Sequence, residues 1–217
     1  MKTRWLVLLS VSLTALTLPG APACSQTTIT FDDLPNAPIG ALIASPYQGL
    51  SWSNFGVVNA ILFSNVVGAP TGYNYGMESA SNVAFNSLGN PAEIDSVINF
   101  NFLSAYLTGA WNSNLNIEVE GFSGATLLYS NTVVASATNA TLFTFDYLDI
   151  DRLYFNSYGG QDAGFPGGAG EEFVMDNFTF EFIPEPSTIL LAVLGAVPLC
   201  AFVGRRRRDN SDPFFSS

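Results

Sequence analysis

Carboxylates are the side chains in the middle of this chain that could carry out acid–base chemistry. Between Thr27 and Ile183 there is no His, Lys or Cys, which excludes Ser-His-Asp, Cys-His and Schiff-base catalysis there. Glu118 and Glu120 share one face of a predicted strand, and their carboxyl groups could span the roughly 5 to 9.5 Å that glycosidases use. Such pairs are also common on solvent-facing strands. A carboxylate-based glycosidase or lyase is therefore an alternative, not the leading hypothesis.

The same segment is strongly acidic. It has fifteen Asp and Glu residues and one cation, Arg152, within a chain of 217 residues whose formal net charge is -11. Asp146, Asp149 and Asp151 stand close to Arg152, and we expect them to neutralise it in an ion pair near the surface. A domain of this charge repels nucleic acid and anionic lipid surfaces, which excludes both as partners.

Aromatic side chains supply candidate contacts for a sugar ring. Tyr73 and Tyr75 lie in a glycine-flanked segment that predicts an exposed loop, and they are the predicted ligand contacts. Trp52 and Trp111 lie within or at the end of apolar segments, which favours burial in the core. The segment FPGGAG (165–170) has no strand-to-helix context and no following Lys, so it predicts a flexible loop without phosphate binding.

Short β-strands must position these residues. Between residues 27 and 182, β-rich segments are separated by Gly, Pro, Asn and Ser, and no segment has a convincing helical pattern. The predicted strands are TTITF, LSWSNFGVVN, NVAFNS, VINFNFLSAYLT, LNIEVEGF, ATLLYS, TLFTFDY, DRLYFNSY and EFVMDNFTFEFI. In LNIEVEGF, apolar and polar residues alternate, as in a strand with one buried face. The pattern predicts an all-β, antiparallel two-sheet sandwich of the jelly-roll type over residues 27–182.

The first 23 residues have the layout of a secretory signal peptide. A basic start is followed by an apolar run from Trp5 to Leu18 and by the small residues APA (21–23). Cleavage after Ala23 would make Cys24 the first residue of the mature chain, either lipidated or as a free thiol; alternatively, Cys24 is removed with the signal. The protein is therefore predicted to be exported.

A second apolar run lies near the other end of the chain. Nineteen uncharged residues separate Glu185 from Arg205, and as a helix they would span roughly 28 Å, enough to cross a hydrocarbon core. An arginine cluster follows and would stay on the cytoplasmic side of a membrane: Arg205, Arg206, Arg207 and Arg208. The run predicts one transmembrane helix, with a buried C-terminal helix and a basic tail as the alternative.

The motif before this run consists of Pro184, Glu185, Pro186 and Ser187. Together with the apolar run and the arginines it resembles the PEP-CTERM sorting signal of Gram-negative bacteria, also described as an ice-binding protein C-terminal domain. The resemblance covers residues 183–208 and implies a membrane-anchored precursor that an exosortase recognises and cleaves near the Pro-Glu-Pro, in a setting of exopolysaccharide and biofilm production. Family members usually end at the arginines, whereas here a short polar tail, DNSDPFFSS, occupies residues 209–217.

The order of segments from ITFDDL to FVMDNFTF resembles a group of secreted domains related in shape to carbohydrate-binding jelly rolls. This resemblance spans most of residues 28–182 and implies a structural calcium ion between the first and last strands, at Asp32, Asp33 and Asp176. Carboxylates suit calcium, and the pair after the first strand could meet Asp176 at one sheet edge. The alternative is that these aspartates cap backbone amides in turns.

The leading hypothesis is an exported, non-catalytic protein of the cell envelope, cell surface or extracellular matrix whose β-sandwich binds polysaccharide. The alternatives are the carboxylate-based carbohydrate-active enzyme and a purely structural matrix protein. No cofactor other than calcium is expected. Because Arg152 is the only cation of the domain, we expect a polysaccharide ligand to be neutral and not rich in uronates.

Overall fold

The computed structural model describes residues 25–183. The predicted signal peptide and Cys24 lie outside the described residues, as do the Pro-Glu-Pro-Ser motif, the predicted membrane helix, the four arginines and the polar tail. Among the helices of residues 25–183, none has the length and apolar character needed to cross a membrane.

Strands dominate the described part of the chain, with two helices and one 3₁₀ turn. The strands are β1 (Gln26–Ile29), β2 (Ala41–Leu42), β3 (Ser51–Ser53), β4 (Phe55–Asn59), β5 (Asn82–Asn86), β6 (Ala92–Gly109), β7 (Asn112–Ser113), β8 (Leu115–Ser123), β9 (Thr126–Ala135), β10 (Thr141–Tyr158), β11 (Gln161–Asp162) and β12 (Phe173–Phe182). The helices are α1 (Ala60–Val67) and α2 (Gly72–Tyr75), and the 3₁₀ turn is Ser87–Gly89.

The strands pair in antiparallel fashion and form a β-sandwich. Ten strands belong to one hydrogen-bonded network in the order β2-β4-β5-β12-β6-β10-β8-β9, with β1 beside β12 and β3 beside β6. The network is continuous because long strands change partners along their length. β10 pairs with β6 from Thr141 to Phe155, but with β8 only from Arg152 to Tyr158. The predicted all-β antiparallel sandwich is confirmed.

One strand, β10, replaces the two predicted strands TLFTFDY and DRLYFNSY. Asp146 and Asp149 have positive φ angles of 50° and 58°, and the register with β6 shifts on both sides of Tyr147 and Ile150. Asp enters this left-handed region more readily than most residues because its short polar side chain can hydrogen-bond locally. The DYLD segment therefore bends the strand without ending it.

The main hydrophobic core lies between strand faces that alternate in burial. Leu115, Ile117 and Val119 of β8 are fully buried, whereas Glu118 and Glu120 between them remain partly exposed, as the alternation predicts. Nine of the chain's 18 phenylalanines belong to this core, where they pack among aliphatic side chains. Aromatic side chains bury large areas and prefer edge-to-face or offset packing, which fixes the relative positions of the strands.

The expectation that the segment from 27 to 182 contains no helix is wrong at α1. The Asn59 side chain accepts a hydrogen bond from the Leu62 N–H at 2.9 Å and caps the start of the helix. Gly68, with a φ of 84°, ends it and donates to the Ser64 carbonyl at 2.8 Å. Asn before and Gly after a mostly apolar segment of eight residues are ordinary helix boundaries, but the segment itself is equally compatible with a strand.

Candidate functional site

A second, smaller hydrophobic cluster lies on the opposite face of strands that also build the main core. In β12, Phe173 and Met175 belong to the main core, whereas Val174 between them belongs to the second cluster. Residues of α1 and α2 cover this face, so β4 is buried along its whole length. The second cluster consists of Val58, Ala60, Tyr73, Val83, Ala110, Trp111 and Val174, with Phe63, Met77, Phe85 and Phe165 packed against it.

Helix α2 is held in place by a contact that only glycine permits. A Cβ atom at Gly72 would overlap the backbone at the end of β6. The Gly72 N–H donates to the Ala110 carbonyl at 3.1 Å, and the Asn74 side-chain amide donates to the Ala60 carbonyl at 3.0 Å. These contacts fix α2 against both β6 and α1, and they bring the Tyr73 ring into the second cluster.

Three hydrogen bonds hold the Glu172 carboxylate beside this cluster. The Tyr73 hydroxyl and Trp111 Nε1 both donate to Oε2, at 2.9 Å and 2.6 Å. The Leu88 backbone N–H donates to Oε1 at 3.0 Å. Because a carboxylate has about four acceptor positions, Oε1 keeps one for a further donor. Burial and the nearby charge of Glu172 raise the pKa of Tyr73 well above its usual range, so its hydroxyl stays a donor at physiological pH.

Aromatic rings pack edge to face around Tyr73. Its ring centre lies 5.1 Å from that of Phe63, 5.6 Å from that of Phe85 and 5.5 Å from that of Trp111. The interplanar angles are 71°, 80° and 86°, which is a favourable arrangement of the ring quadrupoles. The ring contacts and the hydrogen bonds to Glu172 therefore restrain these side chains against one another, and together they form one wall.

This wall borders an open cavity of about 380 Å³. Its lining combines the four aromatic rings and Glu172 with residues of β2, of the 3₁₀ turn and of the glycine-rich segment: Ile39, Gly40, Ala41, Leu42, Val58, Phe63, Tyr73, Phe85, Ser87, Leu88, Trp111, Gly167 and Glu172. Ile39, Leu42 and Leu88 are strongly exposed, at 77%, 71% and 82%. Small-molecule sites in proteins are commonly cavities of this size in which a few polar groups converge.

The glycine-rich segment 165–170 contributes one side of this cavity. Gly168 lies so close to the Trp111 indole that any side chain at this position would collide with the ring. Phe165 stacks on Tyr75, with ring centres 5.9 Å apart and an interplanar angle of 27°. The segment predicted to be a flexible loop thus packs on two aromatic residues, and its glycines allow the close approach.

The two predicted ligand contacts differ in exposure. Tyr73 is only 4% exposed and belongs to α2 and the second cluster, so the prediction of an exposed loop is wrong at this residue. Tyr75 is 41% exposed and packs on Phe165. Trp52 and Trp111 are both buried, as the apolar segments around them predict. Ligand contact by Tyr73 and Tyr75 stays a prediction, and Tyr73 can take part only through the cavity.

Two of the three predicted calcium ligands lie next to the same serine. The Asp176 carboxylate accepts hydrogen bonds from the backbone N–H groups of Glu78, Ser79 and Asn177, and from the Ser79 hydroxyl. Asp32 accepts from the N–H groups of Ser81 and Asn82 and also interacts with the Ser79 hydroxyl. These bonds tie the first turn and the last strand to the segment that follows α2.

Asp33 faces elsewhere: it accepts hydrogen bonds from the Tyr47 hydroxyl and the Gln48 side-chain amide. Within residues 25–183, no group of three or more His, Cys, Asp or Glu side chains is close enough to hold a metal ion. A calcium site here would therefore need Asp32 and Asp176 with hydroxyl or carbonyl oxygens around Ser79. The capping role foreseen as the alternative is present in the structure, and calcium binding stays a prediction.

The same hydrogen bonds shift the two carboxyl groups in opposite directions. At Asp32, burial raises the pKa, but the N–H groups of Asn82 and Ser81 outweigh it, and the net pKa is lowered. At Asp176, burial is stronger than the bonds from Ser79, Glu78 and Asn177, and the net pKa is raised. The two aspartates therefore contribute to folding with opposite dependence on pH.

The candidate catalytic pair, Glu118 and Glu120 of β8, lies on the outer face of the sheet, away from the cavity. Tyr154 of β10 stands in register between Glu93 of β6 and Glu120 of β8. Asn156 donates to Glu118 at 3.5 Å. Burial, together with the charges of Glu120, Glu93 and Glu118, raises the pKa of Tyr154. This face thus presents a tyrosine among carboxylates.

Arg152 lies on the same face, but it is placed differently from the expectation. Its guanidinium lies over the Phe122 ring, 4.2 Å from the ring centre, and it stands opposite Asp95 in register. Asp151 instead accepts a hydrogen bond from the Gly124 N–H at 2.7 Å. Within the described residues, Nε of Arg152 is buried without a hydrogen-bond partner. The arginine is held mainly by a cation–π contact.

Sequence reasoning missed Glu172, the polar centre of the cavity. Its neighbours Tyr73 and Trp111 are 99 and 61 residues away in the chain, and no local pattern connects them. The glycine pair at 167–168, close before Glu171 and Glu172, was the available signal of a close backbone approach.

No protein family model and no curated protein matches this chain. Two solved structures have a weak likeness to it. One is the carbohydrate-binding module TmCBM61 in complex with β-1,4-galactotriose, with 12% identity, a TM-score of 0.33, and coverage of 64% of this chain and 90% of that one. The other is a DUF4465 family protein from Bacteroides ovatus ATCC 8483, with 9% identity, a TM-score of 0.37, and coverage of 76% and 97%.

Proposed function

We propose that this protein is an exported, non-catalytic component of the cell envelope or extracellular matrix, and that its β-sandwich binds a neutral polysaccharide in the cavity beside Glu172. The observation that carries the proposal is the arrangement of Tyr73 and Trp111, which both donate to Oε2 of Glu172 and leave Oε1 able to accept another hydrogen bond. A sugar hydroxyl is a suitable donor, and aromatic walls suit the apolar face of a sugar ring.

Charge favours a neutral sugar over an acidic one. The carboxylate of Glu172 would repel a uronate, and Arg152, the only cation between Thr27 and Ile183, lies on the outer sheet face beside Phe122. Like-charge repulsion in a partly buried cavity is weakly screened by salt. Polyuronates are therefore expected to bind poorly at any ionic strength.

Glu172→Gln tests this proposal, with Glu181→Gln as the matched control. Both residues belong to or adjoin β12 and accept a side-chain hydrogen bond, but Glu181 pairs with Asn101 away from the cavity. We expect Glu172→Gln to weaken binding of neutral oligosaccharides roughly tenfold or more, because Gln has one acceptor oxygen for three donors. Glu181→Gln should bind like the wild type. Equal binding by both folded variants, or tight binding of a polyuronate, would contradict the proposal.

Sorting through the C-terminal signal is the second part of the proposal. The PEPS motif, the apolar run and the arginine cluster support a membrane-anchored precursor that an exosortase processes near Pro186. Intact-mass measurement of the protein isolated from its native envelope should find a chain without Arg205–Arg208 and the tail. Most of the exported protein retaining residues 205–217 would exclude such processing.

Structural calcium is proposed as the one cofactor, with Asp32 and Asp176 as ligands. The third predicted ligand, Asp33, faces Tyr47 and Gln48 instead. The shared neighbour Ser79 beside Asp32 and Asp176 supports the proposal, since both carboxylates lie near further oxygen atoms. A bound ion should raise the melting temperature in calorimetry with excess calcium relative to chelator. Identical transitions in the two conditions would leave these aspartates as capping residues only.

A carboxylate-based enzyme is the alternative that one specific observation favours. Glu93 and Glu120 flank Tyr154 on the two strands beside β10, so their backbones are about 10 Å apart. From these positions their carboxyl groups could reach the separation of roughly 6.5 to 9.5 Å that inverting glycosidases use. Incubation with neutral and acidic polysaccharides, followed by detection of new reducing ends, distinguishes the two functions. Turnover that Glu120→Gln abolishes would replace the binding proposal by the enzymatic one.

A further inference from the structure

Strand β9 forms one end of the hydrogen-bonded network. It pairs with β8 from Thr126 to Ala135, and among residues 25–183 no strand pairs with its other side. The N–H and C=O groups along that side are consequently free to pair with another strand.

The composition of β9 lacks the usual protection of an edge. Its sequence, TLLYSNTVVA, has no charged residue, no Pro and no Gly. Leu127, Leu128 and Val134 are 47%, 45% and 55% exposed. A register shift between the pairs Gly121–Tyr129 and Phe122–Leu127 leaves Leu128 as an extra residue, so the regular part of the edge runs from Tyr129 to Ala135.

Other edges of the described sheet are short or bent. β2 has two residues, β3 three and β1 four. The first half of β10 pairs only with β6, and it is interrupted by the positive φ angles of Asp146 and Asp149. Short length, bends and charged residues are the devices that prevent edge-to-edge association. By contrast, the regular part of β9, Tyr129 to Ala135, is seven residues long, has no register shift and carries no charged residue.

We propose that β9 pairs with β9 of a second copy of this chain, in antiparallel orientation about a twofold axis, so that two sandwiches share one extended sheet. An antiparallel strand pair is self-complementary, as a twofold interface requires. With Thr132 at the centre, the uncharged residues from 129 to 135 oppose one another.

The charge distribution favours this face over the rest of the domain. The outward carboxylates nearest to the interface are Glu118 and Glu120 on β8, opposite Thr132 and Ser130. In the pair, equivalent glutamates are separated by three strand spacings, about 14 Å. This distance exceeds the Debye length of about 8 Å at physiological ionic strength. Two strongly acidic domains can therefore approach here with little repulsion.

Thr132→Lys tests the interface in the full chain, kept dispersed in a mild detergent. Thr132 is exposed and opposes Glu118 in its own chain, so the lysine is compatible with the fold, whereas the pair sets two lysines directly opposite each other. Thr138→Lys is the control, because Thr138 is exposed and lies just beyond β9. Sedimentation velocity should find a concentration-dependent dimer for the wild type and for Thr138→Lys, and a dimer dissociation constant at least roughly tenfold higher for Thr132→Lys.

Hydrogen exchange gives a second measurement. Amides of residues 129–135 should become more protected as the wild-type concentration rises, and they should not in Thr132→Lys. A wild type that stays monomeric at about 100 μM, in the range where weak interfaces associate, would overturn the proposal. So would a Thr132→Lys dimer as stable as the wild type, since association would then use another surface.

Discussion

The two hydrophobic clusters contain many aromatic rings but use them differently. In the main core, Phe102 stacks between Phe145 and Phe178, with ring centres 4.8 Å away in both cases, and its environment is apolar. In the second cluster, the central rings are Tyr73 and Trp111, whose polar atoms converge on Glu172. The second cluster also borders a cavity of about 380 Å³.

This difference separates the source of stability from the proposed source of binding. Phenylalanine rings fill the space between strands without requiring any hydrogen-bond partner. A tyrosine and a tryptophan need partners when buried, and here they share one carboxylate, which fixes the geometry of the cavity wall before a ligand enters. The second cluster thus has the preorganised geometry that the proposed binding site requires.

The largest expected effect is in the main core. Phe102→Ala removes a fully buried ring that contacts Phe145 and Phe178, and we expect the free energy of unfolding to fall by about 4 kcal/mol. Urea denaturation measures the loss. Phe143→Ala, at a partly buried position of β10, should lose clearly less. Equal losses would mean that the main core does not dominate stability.

Asp176→Asn tests the hydrogen bonds that connect β12 to the segment after α2. The carboxylate is buried and accepts three backbone N–H bonds, and an amide cannot satisfy all of them, so we expect a loss of about 3 kcal/mol. Asp149→Asn is the control, because Asp149 is exposed and Asn also tolerates its positive φ. Thermal unfolding of the two variants should differ strongly; similar melting temperatures would show that the buried carboxylate is replaceable.

A matched pair of tyrosines compares the two clusters directly. Tyr73→Phe removes a donor to the Glu172 carboxylate and should cost about 2 kcal/mol of unfolding free energy. Tyr147→Phe, in the main core, removes a bond to the neutral Val119 carbonyl and should cost about 1 kcal/mol. Urea denaturation decides the ratio. A larger cost at Tyr147 would contradict the charge-assisted bond assigned to the second cluster.

The smallest effect is a pH dependence at Asp32. Its pKa is lowered in the folded state, so its contribution to stability is present above the unfolded value of about 3.9 and is lost as pH falls through the folded pKa. The difference in unfolding free energy between the wild type and Asp32→Asn should therefore be constant near neutral pH and shrink below about pH 4. Asp176, whose pKa is raised, behaves in the opposite sense: the folded state takes up its proton first, so acidification favours folding. A difference at Asp32 that grows on acidification would contradict the assigned direction.

Local patterns in the sequence determined most of the strands. The alternation in LNIEVEGF places Leu115, Ile117 and Val119 inward because successive side chains of a strand point to opposite faces, and this holds in any sandwich. α1 was missed because its mostly apolar sequence, AILFSNVV, fits a buried strand and a covered helix equally well. Only the packing of Phe63 against Tyr73 and Trp111 distinguishes the two.

By itself, then, the sequence determined an acidic, antiparallel β-sandwich that lacks His, Lys and Cys between Thr27 and Ile183, because composition and period-two burial depend on local residues alone. Only the tertiary structure decided that Tyr73 is buried and that Glu172 is the polar centre of a cavity. It also decided that β9 is a long strand with no second partner among the strands of residues 25–183. Each of these depends on contacts or strand order between distant parts of the chain, which residue spacing does not encode.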